Sequence, residues 1–278
     1  MVNDKLFFIT VDVEEDLGCD GSEPKVFEGV TKGLPALLEI LDTFHVPATF
    51  FTTGEVAARY PEIVCELHEH NHEIACHGLF HRIIKEFDIP TNRQYILENV
   101  KIINELVGKK PCGYRAVNNV VDNNFMNLLN ELGFNYDASV LSGYPPFKRY
   151  AGFEGATPKI PYHPNRNDYK RKGDNQILEM PISAIPIINT PWVATWIRTI
   201  GKSFYKFSAS ISKPTYVMFV LHSWDFINLK GKTAHSRCSG EYFKKIMYDL
   251  LDFFYSNDYK FLTSIDGSKI LNGCKVIE

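Results

Sequence analysis

Leu6-Phe-Phe-Ile-Thr-Val-Asp-Val-Glu14 is the stretch on which the reading of this 278-residue chain turns. It has the apolar, β-rich character of a strand and ends in carboxylates. Runs of similar character recur at 48–53, 73–77, 111–115, 134–139, 177–182, 215–222 and 259–265. Helical patterns lie between most of them. Leu34, Leu37, Leu38, Leu41 and Phe44 mark one amphipathic face, and Ile96, Val100, Ile103 and Val107 another. Thr91 and Gln94 fit a capping box at the start of the second helix. Parallel strands need helical crossovers, so about eight alternating units predict an α/β fold with one (β/α) barrel over residues 1–278. An open doubly wound sheet is the structural competitor. The long irregular stretch 142–176, rich in Pro, Tyr, Lys and Arg, is expected to be functional or mobile.

With 45% apolar and 13% aromatic residues the chain can bury a large core. A net charge of −3 offers no general attraction to nucleic acid, which is excluded as a partner. The chain as given passes directly from Met1 into the first strand and contains no apolar stretch of about 20 residues, so a cytoplasmic protein is expected. Cys19, Cys65, Cys76, Cys112, Cys238 and Cys274 lie far apart, as reduced structural thiols do. The sequence leaves the oligomeric state open.

Polar residues fall at strand ends, where barrels and open α/β sheets build their sites. Asp12 and Glu14 end the first strand, His77 the third, Arg115 the fourth, Asp137 the fifth and His222 the seventh. Two residues apart on a strand, Asp12 and Glu14 share a face, and such a carboxylate pair needs a cation or an arginine between its members. His77-Gly-Leu-Phe-His81 sets two imidazoles four residues apart, within reach of one metal. A His-His-carboxylate set leaves coordination positions open for water and substrate. Zinc suits these donors, and cobalt, nickel, manganese or iron would also be accommodated.

Thr10-Val-Asp-Val-Glu-Glu15, Ala48-Thr-Phe-Phe51, His77-Gly-Leu-Phe-His81, Gly113-Tyr-Arg-Ala116 and Val220-Leu-His-Ser223 resemble, in order, the motifs of the polysaccharide deacetylase family. Asp-Val-Glu together with Tyr136-Asp-Ala-Ser139 looks closest to its intracellular members linked to exopolysaccharide and lipid-linked sugar biosynthesis. The resemblance implies a deformed (β/α) barrel of seven or eight strands and hydrolysis of an N-acyl group, acetyl foremost, from an amino sugar. It implies Asp12 as general base, Glu14, His77 and His81 as metal ligands, His222 as the acid that protonates the departing amine, and Arg115 as the partner of Asp12. Glu15 and Asp16 are the substitutes for Glu14. A backbone N–H near Val117 or Asn118 would assist the oxyanion. Relatives orient the acidic histidine with a carboxylate from an Asp-x-x-x-Trp motif that has no clear counterpart here. Asp137 and Asp225 are the candidates, Asp137 preferred.

On the substrate side Asn118, Tyr144, Trp192 and Trp224 are expected to contact the sugar, with the 142–176 loop as a stacking wall. If 192–207 is helical, Trp192, Trp196, Ile200 and Phe204 form one stripe and Arg198, Lys202 and Lys206 another. An aromatic stripe beside a basic one suits peripheral contact with an anionic membrane, hence a lipid-linked substrate at the inner membrane surface. An ordinary barrel helix, with a buried aromatic face and a solvated basic one, is the competing and preferred reading of the same residues. The competing functions are a deformylase or other amide hydrolase, an inactive glycan-binding barrel, and a glycosidase pairing Asp12 or Glu14 with Glu179.

Overall fold

The computed structural model describes residues 4–17, 25–146, 150–231 and 233–273. Eight parallel strands form one curled sheet, and each of the eight apolar runs supplies one of them. β1 (Lys5–Val13) is the centre. The strand Tyr216–His222, β9 in chain order, pairs with it from Leu6 to Asp12 on one edge. On the other edge β2 (Thr49–Thr52) takes Thr10–Val13, and β10 (Tyr259–Phe261) takes Lys5–Phe7. From β2 the sheet continues through β3 (Glu73–Cys76), β4 (Gly113–Tyr114), β5 (Tyr136–Asp137) and β8 (Leu178–Glu179). Between β8 and β9 the ladder gives way to a single bridge, Val193 with Val220, and a bond from Ser183 N–H to Met218 O at 3.3 Å. The barrel is therefore deformed, and this side is spanned by irregular chain.

The period of two along a strand divides β1 between two cores. Leu6 and Phe8 pack inside the barrel with Phe51, Ala75, Tyr136 and Met218. Phe7, Ile9, Val11 and Val13 face the outer helices, against Leu37, Leu41, Phe219 and Phe254. The inward set continues as Thr10, Asp12 and Glu14, so the barrel interior is apolar at its base and polar at its mouth. Helices α1 (Leu34–Phe44), α2 (Gly54–Arg59), α3 (Pro61–Glu69), α4 (Ile89–Val107), α5 (Asn123–Glu131), α6 (Ala194–Ile200), α7 (Lys202–Ser212), α8 (Glu241–Tyr255) and α9 (Ser264–Gly273) complete the described fold.

Three local expectations change. The capping box at Thr91 is not formed: α4 starts earlier, with Pro90 in its first turn and the Asp88 carboxylate accepting the Thr91 N–H at 2.8 Å. The single helix over 192–207 is two, because Gly201 adopts φ 112°, a conformation that ends α6 before α7 begins. Part of the 142–176 stretch is ordered as a hairpin, β6 (Pro164–Asn165) and β7 (Asp168–Lys172). Asn123 and Asn127 of α5 pin it by donating to the carbonyls of Asn167 and Arg166. Cys65, Cys76, Cys112 and Cys238 are free thiols, and Cys19 and Cys274 lie outside the described residues.

Candidate active site

Parallel strands end on one rim, and that rim gathers the acids and histidines. Arg115, fully buried beyond β4, donates from Nη1 to Asp12 Oδ1 at 2.8 Å and from Nε to Ala138 O at 2.8 Å. Its guanidinium lies 4.1 Å from the Phe51 ring centre, so it is held on three sides. Arg115 thus pairs with Asp12, as the resemblance implied. His222, at the end of β9, faces the other oxygen of Asp12, with Nε2 4.0 Å from Oδ2.

Glu14, His77 and His81 are all buried, and one donor atom from each lies within 4.8 Å of the others. Glu14 Oε2 stands 3.2 Å from His77 Nε2 and 2.7 Å from His81 Nε2. Their hydrogen bonding tests whether a cation belongs there. His77 Nδ1 lies 2.8 Å from the Arg115 carbonyl, which only accepts, so Nδ1 carries the proton. In the neutral ring Nε2 then presents a lone pair to a carboxylate oxygen, two acceptors face to face. A proton or a metal must lie between them, and a histidine fixed through its other nitrogen is the usual arrangement of a metal ligand. The three residues fit a divalent transition metal. Burial alone would raise the Glu14 carboxyl, but His81 and His77 hold it well below the usual range. Burial would lower His81, and Glu14 outweighs that and raises it. Cys76 is not part of this set; burial pushes its thiol up and keeps it protonated.

The carboxylate that orients His222 is Asp225, which corrects the preference for Asp137. The chain leaves β9 into a 3-10 turn, Ser223–Phe226, and the turn folds Asp225 back. Asp225 Oδ2 accepts the His222 backbone N–H at 2.8 Å and stands 3.4 Å from its Nδ1. Oδ1 accepts from Arg198 Nη2, and Arg198 Nη1 donates to the carbonyls of His235 at 2.6 Å and Arg237 at 3.3 Å. Arg198, expected on a solvated basic stripe, is buried. Burial would raise Asp225, and Arg198 and His222 hold it below the usual range; burial would lower His222, and Asp225 raises it instead. His222 therefore keeps a proton at a higher pH than a free histidine would.

Asp137 serves the wall. Its carboxylate accepts the Ser139 hydroxyl at 2.8 Å and N–H at 3.1 Å, and the same hydroxyl accepts the Ala116 N–H at 2.8 Å. Glu179 accepts the Val140 N–H at 3.0 Å, and burial followed by the Asp137 charge pushes its carboxyl well above the usual range. These two acids brace the backbone on either side of Arg115 and do not contact His222.

Asp12, Glu14 and His222 open onto a cavity of about 440 Å³. Asn118 and Asn119, both left-handed with φ 53° and 58°, form part of its wall, and the Asn119 N–H is already spent on Ala116 O. Tyr144 stacks on Tyr150 at 5.4 Å and 18° and meets Trp196 edge-on at 5.6 Å. All three rings line the cavity, as do Trp224 and His235. Trp192 does not: it is a core residue, packed edge-on against Tyr205 and Phe254. The aromatic expected at 192 is supplied at 196, one helical turn on. Tyr150 belongs to the loop expected as a stacking wall and Trp196 to the stripe expected to face a membrane, whereas His235 carried no motif by which sequence could single it out.

A family model described as polysaccharide deacetylase matches residues 4–136. A peptidoglycan deacetylase of Helicobacter pylori is 28% identical over 158 residues, which cover 54% of this chain and 52% of that protein. A peptidoglycan deacetylase-like protein of Gibberella zeae is 34% identical over 115 residues, 40% of this chain and 33% of that one. The chain thus spans about half the length of the first relative and a third of the second. Among solved structures, a candidate polysaccharide deacetylase from Mycobacterium smegmatis superposes with a TM-score of 0.69 at 21% identity, over 98% of this chain and 91% of that one. The PuuE allantoinase superposes with 0.67 at 16% identity, over 98% and 92%. Both likenesses establish the fold.

Proposed function

Because this chain belongs to the polysaccharide deacetylase family, we propose that it hydrolyses an N-acyl amide, acetyl foremost, on an amino sugar of a cell-surface glycan or its precursor. The observation that carries the reading is the opposition of Asp12, braced by Arg115 at 2.8 Å, and His222, braced by Asp225, beside the Glu14, His77 and His81 cluster. Those three residues would hold one divalent metal, zinc foremost. When bound, the cation supplies a Lewis acid for the acyl carbonyl and lowers the pKa of the attacking water.

The remaining work falls to the chain. Asp12 accepts the proton of the attacking water, and Arg115, paired with it at 2.8 Å, keeps the carboxylate aimed. His222 delivers its proton to the departing nitrogen, which without it is a poor leaving group. Asp225 maintains that proton, and Arg198 maintains Asp225. Tyr144, Tyr150 and Trp196 offer faces and edges for a pyranose ring, whose C–H surface packs well on aromatic rings. Asn118 and Asn119 offer amides to its hydroxyls.

The same reading extends to a lipid-linked sugar met at the cytoplasmic membrane surface. Ile200, which follows cavity residue Thr199 at the end of α6, and Phe204, Phe207 and Ile211 on α7 are exposed. Among the described residues no helix is long and apolar enough to cross a membrane. Sedimentation with anionic vesicles checks this extension: Phe207→Ser/Ile211→Ser should stay in solution where wild type pellets.

Metal content by mass spectrometry, wild type against His77→Ala/His81→Ala, tests the main reading. About one transition metal per chain, lost in the variant, supports it. A folded wild type that stays empty after reconstitution would refute it and favour a glycan-binding barrel.

A further inference from the structure

Trp224, part of the cavity wall, touches both halves of the site, Glu14 and His222. It is 2% exposed and sits on the turn after β9. That turn rests directly on the helical segment before α1. A Cβ at Gly29 would lie 2.5 Å from Trp224 N, and one at Gly33 would lie 2.1 Å from Ser223 O. Only glycine permits the turn to sit so low, and the depth brings the indole to Glu14. Its Nε1–H donates to Glu14 Oε1 at 3.2 Å. Its ring lies against the His222 imidazole, centroids 4.2 Å apart and planes 15° apart.

These two contacts divide the labour of Glu14. An indole N–H can only donate, so the oxygen it holds is turned away from the histidines, and Oε2 alone faces His77 and His81. A carboxylate pinned at one oxygen presents the other in a fixed direction, the part that outer hydrogen bonds play around metals. The stacked face confines His222 to one plane and offers π density to its cationic form. We propose that Trp224 is a positioning residue that sets Glu14 for the metal through its N–H and His222 for proton delivery through its ring, an assignment that rests on the metal-dependent reading above.

The two contacts separate by substitution. Trp224→Phe keeps a ring beside His222 and deletes the N–H; Trp224→Leu deletes both. Zinc affinity of the full chain is measured by competition with a chromophoric chelator, and turnover at saturating zinc. Both variants should bind zinc about 10–100-fold more weakly. At saturating zinc Trp224→Leu should lose a further roughly 3–10-fold in kcat that Trp224→Phe retains. Wild-type zinc affinity in both variants, or equal kcat in the two, would overturn the assignment. Should the variants not fold, the Trp224 indole N–H resonance of the wild type should move on addition of zinc and stay fixed in His77→Ala/His81→Ala. An indole signal that ignores zinc overturns the assignment, whereas a wild type that binds no zinc overturns the metal-dependent reading itself.

Discussion

Replacing Asp225 by Asn removes one charge from a chain of three groups and leaves the shape intact. The aspartate accepts on both oxygens, the His222 N–H at 2.8 Å on one side and the Arg198 guanidinium on the other. An amide has one oxygen, so in either orientation its NH₂ confronts a donor. Arg198 and Asp225 side chains are both 0% exposed, and the variant strands the arginine. Breaking a buried pair from one side costs about 3–5 kcal/mol. At about 2–4 °C per kcal/mol for a chain of this size, the melting temperature should fall by roughly 6–20 °C. The second consequence is kinetic. Asp225 raises the pKa of His222; without it the protonated acid disappears at a lower pH as the solution is made alkaline. The alkaline limb of kcat against pH should therefore move toward acid, and turnover at neutral pH should drop by about 10²–10⁴-fold, the range of general acid–base catalysis. Calorimetry reads the first effect and acetate release at saturating metal the second. Arg198→Met/Asp225→Asn, in which no charge is stranded, should recover most of the stability and none of the rate. An Asp225→Asn variant that melts low but keeps the wild-type alkaline limb would refute Asp225 as the partner of the acid.

Glu179→Gln should flatten the dependence of stability on pH. The Glu179 carboxyl lies well above its ordinary range when folded, so its contribution is present below the unfolded value and lost as pH rises through the folded one. The glutamine variant should melt higher than wild type under alkaline conditions and no higher near pH 4; parallel melting curves would contradict this. Trp196→Ala should raise KM by about 2–10-fold, as roughly 0.5–1.5 kcal/mol of lost ring contact implies, with kcat less affected. Trp192→Ala should instead lose about 3–5 kcal/mol of stability with KM unchanged once folded, because its ring packs in the core.

The sequence made the strands legible because each is an apolar run closed by a polar residue. All eight formed, although β4, β5 and β8 contract to two residues apiece. Asp12, Glu14, Arg115 and His222 were legible for the same reason, since a strand end in a parallel barrel has only one rim to point at. What could not be read depends on where chain leaves regular structure. Asp225 reaches His222 through a 3-10 turn, whose direction no strand period contains. Arg198 read as solvated because a helical pattern through 192–207 ignores the break at Gly201, and α6 alone turns the guanidinium inward. The same break separates Trp192, ahead of α6, from Trp196, on its cavity face. Asp137 occupied the expected strand end, but Ser139 and Glu179 claim its carboxylate.

The most direct test of metal-dependent deacetylation is acetate release from an N-acetylated glucosamine oligosaccharide by the purified chain, before chelation, after it, and after zinc is returned. Metal-dependent deacetylation predicts release that is lost on chelation and restored by zinc in wild type, with none at any stage in His77→Ala/His81→Ala. Release that survives complete removal of metal, or that persists in the double variant, would contradict it.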